Sequence, residues 1–121
     1  MEIKYDIEGL AKELEIDIEG IVGLYASYFE EMKSEITDMK EHLVKHDWKM
    51  LERVIHNIKG VSINLNISDV YSEAEKFDIL LKKDVTENAG DYVDSIAHLI
   101  ENAEVEIQRF FSEKGFQFNG F

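Results

Sequence analysis

The 121 residues include no cysteine and no proline. Without cysteine there is no disulfide framework and no thiolate metal site. Without proline, no ring interrupts a helix by removing a backbone donor. Cations are scarce as well: 13 Lys and Arg stand against 26 Asp and Glu, a net charge of −13. A surface of that sign repels phosphate backbones and anionic headgroups, so neither nucleic acid nor a membrane is an expected partner. No apolar run approaches the roughly 20 residues that span a bilayer. The opening Met-Glu-Ile-Lys-Tyr-Asp lacks the basic and apolar regions of a signal peptide. The expected location is the cytoplasm. Glycine-rich phosphate loops and nucleophile elbows are also missing, which leaves the chain no means of its own for holding ATP.

What is there reads as helix. Hydrophobic residues make up 45% of the chain, enough for one core in one domain. They recur at three- and four-residue steps rather than alternating with polar ones. Residues 6–15 read as a short first helix, capped by Asp6 and striped by Ile7, Leu10, Ala11 and Leu14. Asp17 caps a long second helix, 18 to about 45, whose inner face runs through Ile18, Ile21, Val22, Tyr25, Phe29, Met32, Ile36, Met39 and Leu43. Asp47 caps a third, 48 to about 65. Asn66 ends it, as the residue after Gly best suited to a left-handed stop. Ser68 is the expected cap of a fourth, with Val70, Ala74, Phe77 and Leu81 inward. After a polar connection over 82–90, a last helix is expected over about 91–113. Its stripe is Tyr92, Ile96, Leu99, Ala103, Ile107 and Phe110, and Gly115 is its stop. The fold class is therefore all-α, an up-down four-helix bundle with a short additional N-terminal helix. It forms a single domain over 1–121, with a core of about 5–113 and a Phe-rich tail over 114–121.

Chemistry concentrates on the third helix, in His56-Asn57-Ile58-Lys59-Gly60-Val61-Ser62-Ile63-Asn64-Leu65. Leu51, Val54, Ile55, Ile58, Ser62 and Leu65 form its buried line. His56 follows Ile55 and so points about 100° away from that line. Gly60 lies one turn on, about 40° around the helix from His56, and Lys59 about 60° to the other side. A mid-helix Gly costs roughly 1 kcal/mol against Ala. Access explains that cost, because a bare Gly60 lets another molecule close on the imidazole. Imidazole, with an ordinary pKa of about 6.5, is a neutral nucleophile at physiological pH. A phosphoryl group on it needs a cation, and Lys59 supplies one. Lys49, Glu52, Arg53, Lys59 and Gly60 share the exposed side of this helix with His56, and the three cations, Lys49, Arg53 and Lys59, make a local positive patch in an acidic protein.

This stretch resembles the signature of histidine-containing phosphotransfer (HPt) domains: His, any residue, aliphatic, Lys, Gly, small residues, then Asn and Leu. His56, Ile58, Lys59, Gly60, Ser62, Asn64 and Leu65 fall in step. Ile63 is bulkier than the small residue usual at its place, and Asn66 stands where Gly is usual. The resemblance runs over about 5–112. It implies that His56 is the phosphoacceptor, that Lys59 neutralises the phosphoryl oxygens and that Gly60 clears the approach. HPt domains often carry Glu or Gln at the place of Asp78, where it hydrogen-bonds one ring nitrogen and leaves the other free. Asp78, one methylene shorter than Glu, is the candidate for orienting the ring. Ile63, Lys49, Glu52 and Arg53 are the candidates for partner docking.

The implied partners are response-regulator receiver domains or a hybrid sensor histidine kinase. The implied role is a monomeric phosphoryl carrier rather than an autonomous enzyme. It needs no cofactor or metal of its own, with Mg²⁺ carried by the receiver. The alternative is an adaptor bundle that binds receivers or kinases without carrying a phosphoryl group. The remaining histidines fit no motif. His42 and His46 are spaced like a two-His metal pair but lack a nameable third ligand, and His98 reads as a surface residue.

Overall fold

A computed structural model describes residues 4–117. It contains α1 (Ile7–Leu14), α2 (Ile18–Val44), α3 (Trp48–Asn64), α4 (Ser68–Lys82) and α5 (Ala89–Glu113). Three of the helices begin at an aspartate whose carboxylate accepts an N–H of the first turn. Asp6 takes that of Gly9, Asp17 that of Gly20 and Asp47 that of Met50, at 3.0, 2.9 and 3.3 Å. Each bond satisfies a donor that the helix leaves unpaired. The reversals between helices turn on single residues in the left-handed region: Glu15, His46, Asn66 and Asp84, with φ of 54–60°. Gly115, at φ 87°, ends the last helix as its lack of a side chain allows.

Three-residue links join α2 to α3 and α3 to α4, so consecutive helices run antiparallel. Helix α3 packs on α2 and α4, and α5 packs on α4 and α2, which closes the ring of an up-down four-helix bundle. The core is filled from all four: Ile21, Tyr25, Phe29, Met32 and Met39; Leu51, Ile55 and Ile58; Val70, Ala74 and Phe77; Val93, Ile96, Ile100, Ala103, Ile107 and Phe111. Among the described residues no helix is long and apolar enough to cross a membrane.

Helix α1 packs on α2 and covers the end of the bundle where α3 turns into α4. Tyr5, buried just before it, donates its hydroxyl to Asp69 Oδ2 at 3.0 Å, and Lys4 Nζ pairs with the same oxygen at 3.0 Å. Lys114, past the end of α5, reaches Glu8 at 3.3 Å. Phe116 folds back, its N–H bonded to Phe111 O at 2.9 Å and its ring half-buried against the core. The rest of the Phe-rich tail, 118–121, lies outside the described residues.

Four local expectations change. Leu14, expected in the inward stripe of α1, is exposed, and only Ile7, Leu10 and Ala11 of that helix are buried. In α5 the expected Ile96, Ala103 and Ile107 are buried, but at the other three places of the stripe the next residue along is the buried one: Val93, Ile100 and Phe111 are inside while Tyr92, Leu99 and Phe110 sit at the edge. Neighbouring positions differ by 100°, and both registers keep three- and four-residue steps. Tyr92 is held at the edge by stacking on Phe77, with centroids 5.1 Å apart and planes 6° from parallel. Ser68 is the first residue of α4 rather than its cap; buried Ile67 occupies the cap position and makes no side-chain bond there. Gly90 belongs to α5, which starts at Ala89.

Two tyrosines of α2 tie it to the end of α3. Tyr25 donates to Leu65 O at 2.6 Å, and the Tyr28 hydroxyl shares a 2.7 Å hydrogen bond with Ser62 Oγ. Ser62 and Tyr28 are both buried. Ser62→Ala therefore leaves a buried phenol unpaired and is expected to cost about 1–3 kcal/mol. Adding Tyr28→Phe removes the orphan and is expected to recover most of that loss. Urea unfolding of the two single variants and the double variant checks this.

Candidate functional site

His56 sits in the middle of α3 with its side chain 68% exposed. The aliphatic line beneath it, Val54, Ile55 and Ile58, is buried, so packing fixes which way the imidazole faces. Gly60 is exposed one turn later, and a Cβ built there meets no other atom within 4 Å. Nothing in the described chain fills the space that Gly60 leaves beside His56.

Across from α3, α4 presents Asp78. It is not a solvated helical acid: the residue is only 1% exposed, the one charged residue among the described ones that is buried. Its Oδ2 accepts two lysine ammoniums at 2.9 Å each, Lys59 from α3 and Lys82 from its own helix. His56 Nδ1 lies 3.7 Å from the same oxygen. That is beyond hydrogen-bond length. Asp78 thus faces the proximal ring nitrogen without bonding it, and its lone pairs on that side are already taken by lysines. The ring's other nitrogen, Nε2, makes no hydrogen bond among the described residues, and the side chain as a whole is 68% exposed. Asp78 Oδ1 is buried and accepts no hydrogen bond from the described residues.

Burial alone would push the Asp78 carboxyl up. The hydrogen bonds and charges of Lys59 and Lys82 outweigh it and hold the group below the usual carboxylate range. Lys59, expected on the exposed side, is largely covered by α4, with 18% of its side chain exposed, whereas Lys82 is 52% exposed. Lys82 escaped sequence reasoning because it was assigned to the connection after α4. Its position four residues after Asp78, the spacing of a helical ion pair, is the signal that would have found it.

The other flank of His56 is acidic. Asn57 donates through Nδ2 to Glu31 Oε2 at 2.9 Å and Glu35 Oε2 at 3.1 Å, both on α2. Partial burial pushes the Glu35 carboxyl up, an effect that the Asn57 bond opposes and neighbouring Glu31 reinforces. Of the expected docking residues, Ile63 is 43% exposed two turns from His56. Lys49 and Arg53 are exposed and Glu52 is half-buried. Arg53 contacts Met50 Sδ at 3.9 Å, so it is Lys59 and Lys82, not Lys49 and Arg53, that gather around the buried carboxylate. No group of three or more His, Cys, Asp or Glu able to hold a metal occurs among the described residues. His46 stacks instead on Trp48, with centroids 5.1 Å apart.

The arrangement can present an exposed imidazole beside an ammonium and an open surface. A cluster of this kind depends on Asp78 being ionised. Because its native pKa is depressed, its contribution to stability is fully present above the unfolded value of about 3.9 and is lost as pH falls through the native one. Asp78→Asn is expected to be about 2 kcal/mol less stable than wild type at pH 7, the scale of a charged hydrogen bond. The gap should narrow below about pH 4. Urea unfolding of both proteins at pH 7 and pH 3 measures it.

The family model for the Hpt domain matches residues 23–107, from within α2 to near the end of α5. The matched stretch contains His56, Lys59, Gly60, Asp78 and Lys82. No curated protein matches the chain, and no solved structure does. The family match spans well over half of the chain, and its helical content and bundle topology agree with it: the chain belongs to the Hpt domain family.

Proposed function

We propose that this chain is a phosphorelay carrier in two-component signalling. In this reading His56 takes a phosphoryl group from the aspartyl phosphate of a receiver domain, on a response regulator or a hybrid sensor kinase. It then passes the group to another receiver. The observation that carries the reading is the exposed imidazole of His56 held over a buried cation–carboxylate cluster, with an open flank at Gly60.

In the forward step the lone pair of Nε2 attacks phosphorus. The bond from phosphorus to the aspartyl oxygen breaks, and the carboxylate leaves with the electron pair. Return transfer reverses these events. Little covalent chemistry is asked of the protein beyond placing the nucleophile and neutralising charge. Lys59, three residues after His56, is within one side chain's reach of the phosphoryl oxygens. The receiver brings its own aspartate and Mg²⁺, so this chain serves as a carrier rather than an autonomous enzyme. Ile63 gives the approaching receiver an apolar contact, with Lys49, Glu52 and Arg53 at the other end of the same helical face. The bundle buries its own core, which suits a monomer.

Incubation with a phosphorylated receiver domain tests this. Wild type is expected to acquire acid-labile, base-stable label, and His56→Gln to remain folded and acquire none. Label at His42, His46 or His98 would overturn the assignment. Ile63→Asp is expected to keep its helicity and to weaken receiver binding about tenfold or more, the scale of burying a charge in an apolar contact. Titration of the receiver against both proteins reads that change.

A further inference from the structure

Two cations share one carboxylate oxygen. Lys59 Nζ and Lys82 Nζ each stand 2.9 Å from Asp78 Oδ2, and Oδ1 has no hydrogen-bond partner among the described residues. A single ammonium would balance the charge of Asp78, so the site carries one positive charge in surplus. A phosphoryl group on His56 adds roughly two negative charges close by. The cation placed to meet it is Lys59, on the same helix and one turn away. Its departure would strip a counter-ion from a buried carboxylate, and an unpaired buried charge is costly. Lys82 is arranged differently. It belongs to α4 with Asp78, at the i,i+4 spacing, and holds that carboxylate from within one helix whatever α3 does.

We propose that Lys82 is a positioning residue for the phosphoryl site: it keeps Asp78 neutralised when Lys59 turns to the phosphoryl oxygens on His56. The proposal rests on the carrier reading and adds a division of labour to it. Lys59 serves two anions in turn, and Lys82 makes it releasable. In a chain without Lys82, Lys59 is the sole cation on a buried acid and must divide itself between Asp78 and the phosphoryl group. The influence of Lys82 on phosphoryl transfer therefore passes through Asp78. It disappears when residue 78 carries no charge.

Phosphoramidate, a small donor that needs no receiver, provides the test. Its P–N bond breaks, a bond forms between phosphorus and Nε2 of His56, and ammonia leaves. Initial labelling rates are compared for wild type, Lys82→Met, Lys82→Arg, Asp78→Asn and the Lys82→Met/Asp78→Asn double variant, with circular dichroism on each. Lys82→Met is expected to label about tenfold more slowly, the equivalent of one charge-assisted hydrogen bond. Lys82→Arg should keep the rate, since the cation remains. In the Asp78→Asn background, Lys82→Met should change the rate by less than about twofold.

Wild-type rates in Lys82→Met would overturn the proposal. So would a defect that persists in full beside Asp78→Asn, because Lys82 would then act on the phosphoryl group itself. If Lys82→Met loses helicity, Lys82→Gln is measured in both backgrounds under the same criteria. A wild-type protein that labels at no histidine, or at one other than His56, overturns the carrier reading and the proposal with it. Normal wild-type labelling with an unaffected Lys82→Met overturns the proposal alone.

Discussion

A carboxylate buried between two helices governs this site. Ionised Asp78 cannot sit at 1% exposure without cations, and the two nearest come from different helices. Lys59 must therefore lie down across the α3–α4 contact rather than extend into water. That contact sets the height of α4 against α3, and with it the 3.7 Å separation between Asp78 Oδ2 and His56 Nδ1. The imidazole is left largely exposed, while its Nδ1 looks onto a carboxylate already engaged. The position of the imidazole thus follows from the packing of two helices, on a bundle whose remaining core is apolar except for the buried Ser62–Tyr28 hydrogen bond.

The arrangement also shows how an acidic protein can present a cationic site. With a net charge of −13, the molecule as a whole repels anions. Locally the sign is reversed on the α4 side of His56 by Lys59 and Lys82, and kept on the α2 side by Glu31 and Glu35, which Asn57 holds together. His56 therefore stands between a cationic flank and an anionic one. The long-range field and the short-range field at this histidine differ in sign, and only the second acts on a group already in contact.

Much of the bundle was legible in the sequence because its periodicity is long. The stripe of α2 holds over 27 residues, and the caps Asp6, Asp17 and Asp47 mark their helices by a residue type with a physical reason to be there. In α5 apolar residues stand side by side at 92–93, 99–100 and 110–111, so periodicity alone does not choose between them; the interior takes Val93, Ile100 and Phe111, the last against Tyr25, while Tyr92 stacks on Phe77 at the edge. At the site, His56, Lys59 and Gly60 were readable from their relative angles on one helix. The burial of Asp78 was not, since a carboxylate in an amphipathic pattern reads as solvated unless its cations are known. One of them, Lys59, comes from another helix, and the other, Lys82, sat beyond the expected helix end. The expected bond from Asp78 to the ring gives way to the lysines, which occupy the oxygen first.

Four of the chain's reversals place a residue other than glycine in the left-handed region: Glu15, His46, Asn66 and Asp84. That conformation costs a residue bearing a Cβ roughly 1–2 kcal/mol, less for Asn and Asp, whose short polar side chains bond locally. In the apolar interior, by contrast, the largest side chains are fully covered. Room for greater thermal resistance consequently lies in the loops, above all at Glu15 and His46, where the backbone is held against its own preference. The architecture is thus more easily improved at its corners than at its centre, and neither Glu15 nor His46 belongs to the charge cluster beside His56.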